Sequence, residues 1–183
     1  MNILHLLPIG KVDETLLRHL RSGLATAFRV QCEILTTAVD PGFAFHPERQ
    51  QYHSTEILAW MHRIVTKESW RLLGVTALDL YIPILTFVFG EAQLGNTCAV
   101  VSGHRLRQEF YGLPLDDNLL RERVLKEAIH ELGHTLGLTH CEDYSCVMAP
   151  SHAVEWIDLK GGIFCAACRS QALPSVTLEL NSC

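Results

Sequence analysis

Three histidines and a glutamate lie close together in the segment HELGHTLGLTH, residues 130–140. On an α-helix, residues four apart differ by about 40° of rotation and about 6 Å of rise, so His130 and His134 can direct their imidazoles to one point. Glu131 lies about 100° around the helix from His130. From there its carboxylate can reach a water molecule on a metal without becoming a ligand. This pattern predicts two nitrogen ligands with an adjacent base.

A third ligand is needed, because catalytic zinc takes three protein ligands and keeps one position open. A straight helix would carry His140 about 9 Å beyond His134. Gly137 can adopt a positive φ and turn the chain back, which would bring His140 to the other two histidines. HExxH alone occurs by chance, and a lone histidine on a helix is more often a packing residue. The added glycine and third histidine favour an open metal site.

Four of the seven cysteines form two closely spaced pairs, Cys141-x4-Cys146 and Cys165-x2-Cys168. Four thiolates make a closed tetrahedral zinc site, which is structural because it leaves no position for a substrate. Four unliganded thiols, or two disulfides in an oxidising compartment, are the alternatives. The other three cysteines are scattered. Cys32 and Cys98 are expected to be small buried side chains, and Cys183 to be free.

These motifs resemble a known family of enzymes. HELGHTLGLTH followed by Met148 is similar to the metzincin metalloproteases, and HCEDYSCVM followed by CAAC resembles the archaemetzincins, or archaelysins, in particular. The resemblance implies two zinc ions per chain, with Glu131 as the general base and Met148 beneath the catalytic metal. It also implies the ligands: His130, His134 and His140 for the catalytic zinc, and Cys141, Cys146, Cys165 and Cys168 for the structural zinc.

Two departures from the family pattern concern the segment after Met148. Sixteen residues separate Met148 from Cys165, which puts the conformation of this loop in doubt more than the ligands. Pro150 stands where some other metzincins carry a tyrosine, so a tyrosine-assisted mechanism is not supported.

The predicted reaction is hydrolysis of a peptide bond by a zinc-activated water, with Glu131 taking the proton and passing it to the leaving amine. The substrate is expected to bind extended, pairing with a strand near Ala99–Ser102 if that strand forms the sheet edge. Two alternatives stay open: a non-proteolytic zinc amidohydrolase, and a catalytically silent module in which both zinc ions are structural.

Length and charge set further limits. At 183 residues the chain fits a single domain, 1–183, divided into 1–136 with the sheet and helices and 137–183 with the Met-turn and the structural zinc. A net charge of −5 gives no general attraction to nucleic acid or to an anionic membrane. No segment has the layout of a signal peptide or the ~20 apolar residues of a membrane span. We expect a soluble, cytoplasmic monomer that acts on a peptide or protein.

The hydrophobic pattern predicts a compact α/β (α+β) metzincin-like domain, with a mixed twisted sheet packed on helices. A strand at 1–10, a helix at 13–28 capped by Asp13 and a strand at 30–35 indicate a parallel pair with a helical crossover. Ser54 is expected to cap a second helix. The active-site helix is expected to begin near Asp116 or Asp117 and to stop at Gly137. Further strands are predicted at 75–82, 85–92 and 97–102, a loop at 41–47, and a short closing helix after Ala166.

Overall fold

A mixed β-sheet with helices on both faces forms the body of the molecule, in a computed structural model that describes residues 3–37 and 39–172. Cys183, expected to be free, lies outside the described residues. The elements follow the chain as β1 (Ile3–Ile9), α1 (Glu14–Phe28), β2 (Gln31–Ile34), β3 (Phe45–His46), β4 (Gln51–His53), α2 (Ser54–Ile64), β5 (Ser69–Thr76), β6 (Leu80–Tyr81), β7 (Gly90–Ala92), β8 (Cys98–Ser102), α3 (Asp117–Thr135) and α4 (Val154–Leu159).

The main sheet has the strand order β2-β1-β5-β8-β7, and β3, β4 and β6 form a smaller sheet. Strands β1, β2, β5 and β8 pair in parallel, and β7 is antiparallel to β8 at one edge. This arrangement confirms the predicted α/β class with a mixed sheet. The parallel pairing of β1 with β2 through α1 also agrees with the prediction.

Helix α1 covers one face of the sheet because its apolar residues recur at helical spacing. Asp13 caps the helix, and its carboxylate accepts a hydrogen bond of 2.9 Å from the backbone N–H of Leu16. The buried side chains of α1 join Leu4 and Leu6 of β1 in the larger part of the core; they are Leu16, Leu17, Leu20, Leu24 and Phe28.

Helix α2 covers the opposite face, where Ile57, Leu58 and Met61 pack with Leu7 and Ile9 of β1. The helix begins at Ser54, but the predicted cap is wrong: His53 occupies the cap position, and no side-chain hydrogen bond closes this end. The Ser54 hydroxyl contacts the carboxylate of Glu91 and lies 3.1 Å from the carbonyl oxygen of Tyr81. It ties α2 to neighbouring strands instead.

Two predicted strands and one predicted loop differ from the structure. The strand predicted at 75–82 lies earlier in the chain, because β5 begins at Ser69 and ends at Thr76. Within 77–82 the structure has the two-residue strand β6. Only 90–92 of the predicted 85–92 strand pairs with β8. The Arg49 guanidinium donates to the carbonyl oxygens of Leu85 at 2.9 Å and Thr86 at 3.0 Å, which holds this stretch as a loop. The predicted 41–47 loop contains a 3-10 turn at Gly42–Ala44 and then β3.

Helix α3 begins as predicted. Asp116 is its cap, and the Asp116 carboxylate accepts a 2.9 Å hydrogen bond from the N–H of Leu119. Helix α4 was not predicted, because six residues are too few to establish a helical period. The described part of the chain ends in a helix at 166–172, which agrees with the predicted closing helix. Within the described ranges, no helix is long and apolar enough to cross a membrane.

Candidate metal centres and catalytic cleft

His130, His134 and His140 converge at the carboxyl-terminal end of α3, with ring centroids between 4.7 and 5.3 Å apart. One nitrogen from each ring lies within 4.8 Å of the other two. The bend that brings His140 back follows α3 directly. Gly137 has a φ of +87°, the N–H of Gly137 donates to the carbonyl oxygen of His134, and the N–H of Leu138 donates to that of Gly133. This is a Schellman turn, which needs glycine at its left-handed position.

Hydrogen bonds fix the orientation of two of these rings. The Nδ1 atom of His130 lies 2.9 Å from the carbonyl oxygen of Val147. The Nδ1 atom of His134 lies 2.7 Å from the carbonyl oxygen of Leu138. A carbonyl only accepts, so each Nδ1 carries the proton and each Nε2 presents a lone pair. The two Nε2 atoms are nonetheless 3.1 Å apart. Two lone pairs repel at this distance unless a cation lies between them, so the spacing fits a metal site.

The three histidines therefore fit a zinc ion. Tetrahedral zinc with Zn–N distances of ~2.0–2.1 Å separates its nitrogens by about 3.3 Å. Burial, and then the nearby Lys160 ammonium, lower the pKa of His130 to about 2, and burial also lowers the pKa of His134 and of His140. The rings are thus neutral at physiological pH, which is the form that binds metal.

Glu131 is buried beside this site, under the edge strand of the sheet. A Cβ atom added at Gly90 would lie 2.7 Å from the Glu131 Cγ and 2.7 Å from the carbonyl oxygen of Val100. Only glycine at position 90 leaves space for the carboxylate. Burial and then the Glu127 carboxylate raise the pKa of Glu131 well above its ordinary value. A cation at the histidines would act in the opposite direction, because positive charge favours the carboxylate form.

Met148 is fully buried and packs against α3 at Gly133. Its sulfur occupies the space that a side chain at Gly133 would need, because a Cβ there would overlap the sulfur and lie 3.1 Å from the Met148 methyl carbon. The Met148 carbonyl oxygen also accepts a 3.0 Å hydrogen bond from the N–H of Cys141, which closes the loop between them. Met148 thus supports the helical turn that carries the first two histidines.

Cys141, Cys146, Cys165 and Cys168 form the second cluster, with all four sulfurs within 4.8 Å of one another. The sulfurs of Cys141 and Cys165 are 3.8 Å apart. A tetrahedral zinc site with Zn–S distances of ~2.3 Å has sulfur–sulfur separations of about 3.8 Å, whereas a disulfide needs ~2.05 Å. The N–H of Cys165 donates to the sulfur of Cys146 at 3.3 Å, and the N–H of Cys168 to that of Cys165 at 3.5 Å. The cluster fits a zinc ion and does not fit disulfides.

An ion pair lies behind the histidines. Glu127 and Lys160, both buried, are joined by a 2.8 Å contact between Oε1 and Nζ. The Lys160 ammonium also donates to the carbonyl oxygen of Ala149 at 3.1 Å and lies 3.4 Å from the Nδ1 of His130. Sequence reasoning missed this pair. The signal was present at Glu127, which is one turn before Glu131 on the face that faces the core.

An open cleft of about 490 Å³ contains both the histidines and Glu131. One wall is the 85–92 segment, and the other is Pro150, Ser151 and His152 after the Met-turn. The edge of the sheet at this cleft is β7, because β8 lies between β5 and β7. The condition for substrate pairing at Ala99–Ser102 is therefore not met, because β8 already has neighbours on both sides.

The remaining histidines lack the spacing of a metal motif, which predicts surface or structural roles for them: His5, His19, His46, His53, His62, His104 and His152. His5 is buried, with its Nδ1 2.8 Å from the Ser69 hydroxyl, and the His53 ring stacks on Tyr81. None of these residues belongs to a metal-ligating group within the described part of the chain. His152 differs from the others because it lines the cleft.

Comparison with known proteins gives the class. Residues 43–173 match the model of peptidase family M54. An archaemetzincin from Methanocaldococcus jannaschii is 44% identical over 161 residues, covering 88% of this chain and 87% of its own. One from Thermococcus kodakarensis is 35% identical over 186 residues, covering 98% of this chain and 100% of its own.

Solved structures show the same fold. The archaemetzincin of Archaeoglobus fulgidus, crystallised with malonate, superposes with a TM-score of 0.80 at 38% identity, covering 92% of this chain and 99% of the other. A zinc-dependent peptidase from Methanocorpusculum labreanum gives 0.84 at 31% identity, with the same coverage.

The fold and the two metal-ligating clusters define a zinc metallopeptidase of the metzincin type, as the motifs indicated. The chain belongs to peptidase family M54, the archaemetzincins. Its cofactor is zinc, and its substrate is a peptide or protein. The amidohydrolase and the silent module are not favoured.

Proposed function

We propose that the histidine cluster is the catalytic centre of this peptidase and the cysteine cluster its structural zinc site. His130, His134 and His140 would hold the catalytic ion, which supplies Lewis-acid activation of water and of the scissile carbonyl. The approach of the two Nε2 atoms to 3.1 Å, with both Nδ1 atoms tied to carbonyls, carries the proposal. The second ion would be bound by Cys141, Cys146, Cys165 and Cys168, and it would fasten the 141–148 loop to the segment that leads into the helix at 166–172.

Glu131 is proposed as the general base. It follows the first histidine and lines the cleft from a buried position, so its carboxylate can accept a proton from a water molecule at the histidines. The same group can then return the proton to the leaving amine. Met148 would support the base of the site by packing, since its thioether lies against Gly133.

The peptide is proposed to bind as an extended strand along β7. This strand pairs with β8 on one side only, through Gly90, Glu91 and Ala92. Its other side is therefore available for main-chain hydrogen bonds to a substrate, which would run beside Glu131. Main-chain pairing orients a peptide without reading its sequence, so side-chain preferences must come from the walls of the cleft.

We also propose that the chain is a single domain, and that it acts on peptides or proteins as a monomer in the cytoplasm. Reduced Cys32 and Cys98, together with a thiolate metal cluster, are typical of a reducing compartment. The net charge of −5 favours a peptide partner over nucleic acid. Gel filtration of the zinc-loaded protein would reveal a larger assembly.

A peptide-library digest read by mass spectrometry tests the proposal. The zinc-loaded protein should cleave a subset of peptides, and a chelator should abolish cleavage until zinc is restored. Glu131→Gln should retain both zinc ions and lose at least about 100-fold in turnover. Full activity in that variant would overturn the assignment of the base.

A further inference from the structure

A second depression adjoins the catalytic cleft, and we call it the distal groove. It has a volume of about 310 Å³ and is lined by Tyr144, Ala149, Pro150, Trp156 and Leu159. Three of these side chains are unusually exposed for their size: Tyr144 is 74% accessible, Trp156 44% and Leu159 84%. Large apolar side chains grouped at a surface mark an interaction site more often than isolated ones do.

The distal groove and the cleft share one lining residue. Pro150 lines both, with the catalytic cleft on one side and the groove on the other. His152 lines the cleft, and its ring packs edge-on against Trp156 with centroids 5.5 Å apart. A chain that leaves the cleft past Pro150 and His152 therefore meets Trp156 next.

The position of the groove is fixed by buried contacts. Lys160, which follows α4, is anchored to the Ala149 carbonyl oxygen and to Glu127. Asp158 receives two hydrogen bonds from the Arg123 guanidinium of α3, at 2.6 and 2.7 Å. Trp156 and Leu159 are thus exposed on a short helix that α3 holds in place, so the groove is a preformed surface.

Charge indicates the kind of side chain that fits beside it. Glu142 and Asp143 directly precede Tyr144, and Glu155 directly precedes Trp156. All three are exposed, and none forms an ion pair with another described residue. A large apolar residue next to a lysine or arginine would fill the groove and meet acidic neighbours.

We propose that the distal groove binds the part of an extended substrate that has left the cleft on the Pro150 side, through a large apolar residue followed by a basic one. The inference rests on the proposed function. It predicts that the enzyme prefers long, unfolded segments with an apolar–basic pair several residues from the cleaved bond. The groove then determines specificity without touching the reacting atoms.

The test uses the shortest peptide that the zinc-loaded enzyme cleaves. In one series, this parent peptide is extended at its amino or its carboxyl end by a spacer of one to six glycine and serine residues, and Leu-Lys follows at the far end of the spacer. A matched series has Ser-Lys in place of Leu-Lys. On one side only, and at a fixed spacing, Leu-Lys should lower KM by about tenfold relative to Ser-Lys, with kcat changed less than twofold.

Leu159→Ser and Trp156→Ala should both remove that advantage, and Leu159→Ser, which alters no residue that contacts the cleft wall, should cleave the parent peptide at the wild-type rate. Ile64→Ser is the control, because Ile64 is 41% exposed and lines a different apolar depression beside Trp60. Equal KM values for the two series at every spacing would overturn the proposal, as would an advantage that survives both groove variants. If the zinc-loaded enzyme cleaves no peptide, so that no parent peptide exists, the proposed function fails instead.

Discussion

Glu127 and Lys160 form an ion pair of 2.8 Å in the interior, where their side chains are 4% and 2% exposed. Burial raises the pKa of Glu127, and the Lys160 ammonium opposes that shift. Through its bond to the Ala149 carbonyl oxygen, Lys160 also fixes the chain next to Met148. The pair therefore joins the active-site helix, the Met-turn and the end of α4.

Lys160→Met should destabilise the protein by about 3–5 kcal/mol, because it leaves a buried carboxylate without its partner. Adding Glu127→Gln to the same chain should recover much of that loss, since no charge is then left unpaired. Denaturant unfolding of the zinc-loaded proteins measures both effects. If the free energy of unfolding of Lys160→Met were within about 0.5 kcal/mol of the wild-type value, the ion pair would not contribute to the stability of the fold.

Gly133→Ala should destabilise by about 1–3 kcal/mol, because the new methyl group overlaps the Met148 sulfur. An alanine in an unobstructed helix has the opposite sign and stabilises by ~0.5–1 kcal/mol. Gly162→Ala is the control, since a Cβ there meets only the Lys126 Cγ at 3.8 Å. Stabilisation by Gly133→Ala would contradict the proposed support of the helix by Met148.

Gly137→Ala should weaken zinc binding at the histidine cluster by about tenfold or more, because the left-handed turn places His140. It should also cost about 1–2 kcal/mol of stability. Gly112→Ala is a matched control: its φ is +73°, and a Cβ there, as at Gly137, meets no atom within 4 Å. Competition with a chromophoric chelator should show weaker zinc binding in Gly137→Ala only. Equal affinities would mean that His140 is positioned by other contacts.

The stability of the protein should fall at alkaline pH in part through two buried thiols. Burial raises the pKa of Cys32 to about 12 and that of Cys98 to about 11, from an ordinary value of 9.0. A raised folded-state pKa contributes stability that is complete below pH 9 and is lost as the pH rises towards 11 and 12. A Cys32→Val, Cys98→Val variant should lose less stability than wild type between pH 9 and 11. Parallel curves for the two proteins would refute this.

Most of the candidate site could be predicted from the spacing of residues that are close in the sequence. The features that could not be predicted depend on contacts between residues far apart in the sequence. His130, His134 and Gly137 are related by helix and turn geometry, so their arrangement follows from their order in the chain. The edge position of β7 depends on which strands lie beside β8, which no local pattern specifies. The Glu127–Lys160 pair spans 33 positions, and Lys160 directly follows a helix that is too short to show a period. The Ser54 cap failed because its hydroxyl had a tertiary partner in Glu91.

Zinc content measured together with activity in two variants tests the two-site account most directly. Wild type should contain two zinc ions per chain. His134→Ala should contain one and lose peptide cleavage while folding as before, and Cys165→Ser should lose the other ion and much of its stability. A His134→Ala protein that keeps two zinc ions, or that cleaves peptides at the wild-type rate, would contradict the account.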